Sequence, residues 1–433
     1  MCPHRHVCKA CLPLLCKSER ASIVNVGTAY WSTARSRIGQ PHSHASQKAF
    51  DGRLVGRKCG LTLSMHIAKR RATPILLFSL SRALCGAASA APPKRVVFLG
   101  TPAVAARSLE LLLAGSRAGR GGGFDIAAVV SQPPAKTGRN MKLTPSPVHE
   151  LAEKEGLTLL TPPNAKDEGF LAALADLQPD LCVTAAYGCF LPQRFLDVPS
   201  FGTLNIHPSL LPLYRGAAPV QRCLEKGDAV TGVTVAFTVL AMDAGPVLRQ
   251  VQRPLHGDER ATDLLLELFE AGTEQLLEAL PTVWDGSCEA FLTPQNGVKA
   301  TKADKVSIEE AEVRLDVLSA RTVHNRARGF AGWPGVWTML SLGDGKPPVR
   351  AKLLSTAVGT ASSASRAVTL KGQVLELTCA DGSVLQVHEL TLPGKKPVNG
   401  KAFFNGLNGR EARWIGADEE ATAGSDAPPA GSS

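Results

Sequence analysis

From Arg95 onward, short apolar runs alternate with helix-like runs across tight connections, and this alternation constrains the fold more than any other feature of the chain. "KRVVFLGTP" holds a strand, Val96 to Leu99, closed by Gly100. Thr101 suits a helix cap and Pro102 a first helical turn, so "AVAARSLELLL" reads as the helix that follows. "GSRAGRGGG" reads as a loop, "FDIAAVVSQ" as a second strand and "PPAKTGRNMKLTP" as a polar, basic loop. "SPVHELAEKEG" repeats the helix opening, with Ser146 as cap and Pro147 in first position. "LTLLTP" is a third strand, "LAALADL" a helix, and "DLCVTAAYG" and "GTLNIH" two more strands. Strands and helices in this order predict an α/β fold of Rossmann-like type: a mostly parallel sheet with helices on its faces. Ligands of such sheets bind beyond the carboxyl ends of the strands. Gly100, Tyr187, Gly188, Asn205 and His207 all fall at such ends and are expected on one rim. The first turn, "GTPAVA", lacks the glycines that admit a pyrophosphate, and no P-loop is present. NAD and ATP are therefore excluded as ligands of this sheet.

Further along, "VTGVTVAFTV" and "AGPVLRQVQRPL" read as two strands joined through "LAMDAG". A helix, "ATDLLLELFEAGTEQLLEAL", presents Leu265, Leu268, Phe269, Leu276 and Leu280 on one face. After "TPQNGVKATKADK" the texture changes to short strands with Gly and Asp-Gly turns: "GVWTMLS", "RAKLLSTAV", "QVLELTC" and "SVLQVHELTL". That pattern predicts a small, OB-like β-barrel. The expected domains are a leader at 1–93, a catalytic domain at 94–290, a linker at 291–300, the barrel at 301–415 and an acidic, disordered tail at 416–433.

Charge follows these divisions. Residues 1–93 carry 14 Lys/Arg against 2 Asp/Glu, and residues 298–410 carry 16 against 9, whereas residues 94–297 carry 17 against 22. The basicity therefore lies in the leader and the barrel, and the barrel's share suits a polyanion. The leader resembles an organelle transit peptide: Arg- and Ser-rich, nearly free of acids, and with Met65 as an alternative start. A mitochondrial destination is expected, with a plastid or both as the alternative. A secretory signal is the rival, against which stand its internal basic head and the cytosolic character of the body. The apolar part, Pro74 to Leu80, is far too short to span a bilayer, so no membrane association is expected. The leader also contains Cys2, His4, His6, Cys8, Cys11 and Cys16, but only one Cys-x-x-Cys pair, so no metal site is expected there. Cys182, Cys189, Cys223, Cys288 and Cys379 are scattered and read as unpaired thiols.

The stretch "TLNIHPSLLPLYRGAAPVQR" carries the chemistry. A strand alternates faces, so Asn205 and His207 point the same way. An amide donor can stabilise an oxyanion and an imidazole can move protons, which together suit a carbonyl becoming tetrahedral. Such a histidine needs an orienting partner, and Asp243 in "MDAG" is the best-placed carboxylate. Nothing resembles a nucleophile elbow, so the nucleophile belongs to a substrate. Taken singly, Asn205 could tie down a loop, His207 could be a satisfied buried histidine and Asp243 a turn residue.

"LNIHPSLLPLYRGAAPVQ" with "GDAVTGVTV" and "MDAG" resembles the folate-dependent formyltransferases, and "VFLGTPAVAA", "MKLTPSPV", "AAYGCFLP" and "GKKP" extend the match from about Arg95 to Trp414. The resemblance is to the branch whose acceptor is initiator methionyl-tRNA. It implies a catalytic set of Asn205, His207 and Asp243, and formyl transfer from 10-formyltetrahydrofolate as co-substrate, without a metal, by a monomer. It also implies a folate-binding loop at Ser209, Leu210, Leu211 and Pro212 together with Tyr187 and Gly188. Contacts to the tRNA are implied at Arg139, in "AKTGRNMK", and at Lys142 and Arg215. The family's acidic turn is Asp-Thr-Gly and here reads Asp243-Ala244-Gly245, which keeps the acid. A sister enzyme using the same donor, or a non-catalytic RNA-binding protein on this scaffold, are the alternatives.

Overall fold

A computed structural model describes residues 92–137, 141–362 and 365–416. The leader, Arg139 and most of the acidic tail lie outside the described residues.

Ten strands belong to the first half: β1 (Lys94–Gly100), β2 (Phe124–Val130), β3 (Ala135–Thr137), β4 (Lys142–Thr144), β5 (Leu159–Leu160), β6 (Leu181–Ala185), β7 (Thr203–His207), β8 (Arg215–Gly216), β9 (Val230–Phe237) and β10 (Val247–Pro254). Seven of them form one sheet in the order β10-β9-β7-β6-β1-β2-β5. Pairings from β7 through β5 are parallel, and β9 and β10 add an antiparallel edge. The central strands are largely apolar, with Val96–Gly100 and Leu181–Ala185 buried at every position, because helices cover both faces. The 24-residue helix Ala261–Trp284 lays Leu264, Leu268, Phe269, Leu276, Leu277 and Leu280 against one face, and Leu265 lies at the margin of that contact. Gly272 lets this helix approach closely, since a Cβ there would stand 2.6 Å from both Ile206 and Val233. The opposite face is closed by Phe170, Leu174 and Phe195 over Val97, Leu99 and Val130.

Local readings hold where a side chain decides the structure locally. Ser146 caps Pro147–Lys154, accepting from the His149 N–H at 2.9 Å. At the first turn the expectation fails. Pro102 occupies the cap position of Ala103–Arg117, while the Thr101 hydroxyl donates to the Tyr187 carbonyl at 3.0 Å. The carbonyl at the end of β6 outcompeted the helix for that donor, and the result ties two strand ends together. The helix also runs to Arg117, past the expected stop. The loop read as irregular folds into a β3–β4 hairpin, its register supported by a Thr137–Thr144 hydroxyl pair at 2.7 Å. Two helices went unread, Gln193–Leu196 and Pro219–Lys226, the second hidden in a Pro- and Gly-rich context.

The second half begins with β11 (Lys302–Ala303), which pairs in parallel with β8 and so belongs to the first half's surface. Beyond it lie β12 (Val336–Ser341), β13 (Val349–Ser362), β14 (Thr369–Lys371), β15 (Val374–Thr378), β16 (Ser383–Thr391), β17 (Val398–Asn399) and β18 (Arg413–Trp414). They form an antiparallel sheet in the order β14-β15-β16-β13-β12-β18, with β17 alongside β16. A bridge between Ala367 and Arg413 brings the two edges together and closes the sheet into a small barrel. Two helices missing from the strand-only reading, Ala320–Gly329 and Gly400–Gly406, sit on it. Helix Ala320–Gly329 packs on Pro219–Lys226 of the first half, where Arg222 pairs with Glu310 at 2.6 Å and lies over the Phe330 ring. Phe330 is fully buried at the end of that helix. Phe330→Ala should destabilise the chain by about 3–5 kcal/mol, read as a lower midpoint in urea unfolding.

Candidate active site

Three strand ends meet at the carboxyl rim. The Tyr187 carbonyl, just past β6, accepts from the Thr101 hydroxyl beyond β1 and from the Gln132 amide beyond β2, each at 3.0 Å. Next to them β7 projects Asn205 and His207 toward the turn that follows β9. Thr184 on β6 donates to Asn205 Oδ1 at 2.8 Å. The carboxamide orientation follows from its other end, where the Asp243 carboxylate can only accept. The NH2 is left facing Asp243, with Nδ2 at 3.5 Å from Oδ1, and the open rim.

His207 is 5 % exposed, and its Nε2 lies 2.9 Å from the Tyr214 carbonyl. A carbonyl only accepts, so Nε2 carries the proton and Nδ1 is the ring atom presented to the site. Nδ1 stands 3.9 Å from Asp243 Oδ1, beyond hydrogen-bond range. The hydrogen bond that orients the imidazole comes from the Tyr214 main chain, and Asp243, expected in that role, faces Nδ1 at ion-pair distance without a hydrogen bond to it. Asp243 is held in turn by the Gly216 N–H, 2.8 Å from Oδ2. Its Oδ1 remains directed at both Asn205 and His207.

The turn bearing Asp243 is sterically specified. Asp243 has φ 48°, a left-handed conformation that Asp tolerates better than most residues. A Cβ at Gly245 would lie 1.8 Å from the Phe237 carbonyl oxygen, so glycine is required where the chain re-enters β10. Tyr214 is also left-handed, with φ 59°. Its hydroxyl donates to Asp228 Oδ2 at 2.5 Å, and burial, reinforced by that carboxylate, pushes the phenol well above its ordinary range.

The expected folate loop is divided by the fold. Ser209 is wholly buried, its hydroxyl donating to the Leu213 carbonyl at 2.7 Å and its carbonyl accepting from Thr234 at 2.6 Å. Leu211 is also buried, with its N–H donating to Thr234 and its carbonyl accepting from Gln250. Ser209 and Leu211 thus shape the loop from inside, and Leu210 and Pro212 keep accessible surface. Tyr187 is buried, and Gly188 is exposed with φ 83°. Among the expected tRNA contacts, Lys142 is exposed on β4. Arg215 donates to the Gln295 side-chain oxygen Oε1, at 2.6 and 3.1 Å. Thr184, Tyr214, Gly216 and Gln295 are the site residues that motif reading missed. No group of His, Cys, Asp or Glu among the described residues is arranged to hold a metal.

A family model described as formyl transferase matches residues 94–280, and one described as formyl transferase, C-terminal domain, matches residues 305–408. Methionyl-tRNA formyltransferase of Mycobacterium sp. (strain KMS) is 38 % identical over 312 residues, covering 72 % of this chain and 96 % of that protein. The enzyme of the same description from Pelobacter propionicus is 35 % identical over 324 residues, covering 75 % and 96 %. Among solved structures, WlaRD, a sugar 3N-formyl transferase determined with dTDP and 5-N-formyl-THF, aligns with a TM-score of 0.50 at 14 % identity, covering 71 % of this chain and all of that one. That last likeness concerns the fold alone. With two bacterial enzymes matched over nearly their whole length, this chain belongs to the methionyl-tRNA formyltransferase family.

Proposed function

We propose that the chain transfers the formyl group of 10-formyltetrahydrofolate to the α-amine of methionyl-tRNA. The observation that carries this reading is the convergence of Asn205 Nδ2, His207 Nδ1 and Asp243 Oδ1 on one point at the sheet rim. The uncharged amine attacks the formyl carbon. Asn205 Nδ2–H donates to the oxygen as it becomes an oxyanion. Attack leaves the amine nitrogen positively charged, and Asp243 Oδ1 and His207 Nδ1 are the acceptors facing that position. Collapse of the tetrahedral centre breaks the bond to N10, which leaves with a proton, and the products are formyl-methionyl-tRNA and tetrahydrofolate. A non-catalytic RNA-binding role leaves the three converging groups without a task. The test is formyl transfer assayed with 10-formyltetrahydrofolate and charged methionyl-tRNA. Uncharged tRNA and glycinamide ribonucleotide serve as control acceptors, and activity with the second alone would overturn the tRNA assignment.

The exposed Lys395, Lys396 and Lys401 of the barrel, with Lys142 and Arg139 of the first half, are proposed to meet tRNA phosphates. The leader, with 14 basic and 2 acidic residues over 1–93, is proposed to direct import into mitochondria. A chain lacking residues 1–90 should remain active. The leader fused to a fluorescent protein should co-localise with a mitochondrial marker: a diffuse cytosolic signal would refute import, and a plastid-only signal the destination.

A further inference from the structure

The segment joining the two halves crosses the active site. Thr293 exchanges both main-chain hydrogen bonds with Val247, at 2.8 and 3.0 Å, directly after the Asp243 turn. About ten residues later, Lys302 and Ala303 pair with Arg215 and Gly216. Between these anchors, Gln295 reaches into the site. Its Nε2 donates to the Asp243 carbonyl at 2.8 Å and to the Gly245 carbonyl at 2.7 Å, bracketing the turn that carries the carboxylate. Its Oε1 accepts twice from Arg215, the residue before the Gly216 N–H that holds Asp243 Oδ2. One half-buried carboxamide thus fixes both the main chain of Asp243 and the strand that grips its side chain. Thr301 adds a pin on the histidine side, accepting from the Tyr214 N–H at 2.8 Å.

We propose that Gln295 is a positioning residue for formyl transfer, acting through Asp243, so that the segment bearing the barrel also sets the reacting carboxylate. This inference rests on the formyltransferase reading above. Asp243 needs such a brace because its backbone is left-handed and its Oδ1 makes no short bond to Asn205 or His207 that would hold it in place.

Two substitutions separate this role from its rivals. Gln295→Met keeps the volume and removes all four bonds. Gln295→Glu keeps acceptors for Arg215 but turns lone pairs toward the two carbonyls. Both should lower kcat at saturating substrates by about tenfold to a hundredfold, the scale of a displacement of the reacting group by up to about an ångström. KM for methionyl-tRNA and for the folate should stay within about threefold of wild type, since the groups removed face the turn rather than a substrate. Recovery of kcat in Gln295→Glu would assign the residue to Arg215 alone and overturn the proposal. A change in KM for tRNA with unchanged kcat would overturn it in favour of direct tRNA binding. A lower melting temperature with normal kcat per folded molecule would reduce Gln295 to a structural strut. Should the wild-type chain fail to formylate methionyl-tRNA, the functional reading falls on its own. The brace is then judged on hydrolysis of 10-formyltetrahydrofolate to formate and tetrahydrofolate, where the same two variants should be slow and wild-type rates in them would overturn it.

Discussion

Asp243→Ala should turn over at about one-hundredth of the wild-type rate or less while remaining folded, a loss of about 2.7 kcal/mol of transition-state stabilisation. The substitution removes the carboxylate that faces both Asn205 and His207, and with it the acceptor of the Gly216 N–H. Asp243→Asn sharpens the test, because it preserves shape and an acceptor for Gly216 but removes the charge that receives the amine's proton. It should be nearly as slow. Asn205→Ala and His207→Ala should each fall by a similar factor when rates are taken per folded molecule. Because the three groups serve one reacting centre, the double variants should lose far less than the product of the single losses. Near-normal kcat in a folded Asp243→Ala protein would remove Asp243 from the reaction.

Affinity for methionyl-tRNA should fall by about a thousandfold between about 50 and 200 mM salt, as expected when about six phosphates are neutralised. Residues 298–410 carry 16 Lys/Arg against 9 Asp/Glu, and Lys395, Lys396 and Lys401 are exposed on either side of β17 in the chain. Reversing these three to Glu should raise KM for tRNA by about tenfold or more, leaving KM for the folate unchanged. The salt slope should flatten by about one for each phosphate no longer neutralised. Binding of tRNA followed by filter retention or anisotropy reports this directly. A tRNA affinity that does not change with salt would show that the barrel's positive charge is not what holds the RNA.

The two halves were not equally legible. The parallel sheet could be read because its central strands are short, largely apolar runs, as in Leu181–Ala185, and a helix such as Pro147–Lys154 opens on a residue whose preference is local. Ser146 shows the rule, since its cap needs only a partner three residues ahead. Thr101 shows its limit: the same chemistry was taken by a carbonyl 86 residues away. In the barrel the strands were visible from their shortness and from the Gly and Asp-Gly turns between them, and Val336–Ser341 alternates buried with half-buried positions. The helices Ala320–Gly329 and Gly400–Gly406 were not, because their polar faces and glycines lack a continuous apolar stripe.

For the site, the sequence by itself determined which groups stand on the rim. Asn205 and His207 share a side because a strand has period two, and Asp243 was singled out as an acid in a tight turn beyond a strand. The tertiary structure decided what holds them. His207 is set by a backbone carbonyl seven residues on, Asp243 by a backbone N–H 27 residues back, and its turn by an amide 52 residues ahead. Main-chain carbonyls and N–H groups are the same at every position, so no letter of the sequence marks the one that meets an imidazole or a carboxylate. Only the folded path, which lays the segment between the halves across the loops after β7 and β9, brings those particular groups within bonding distance.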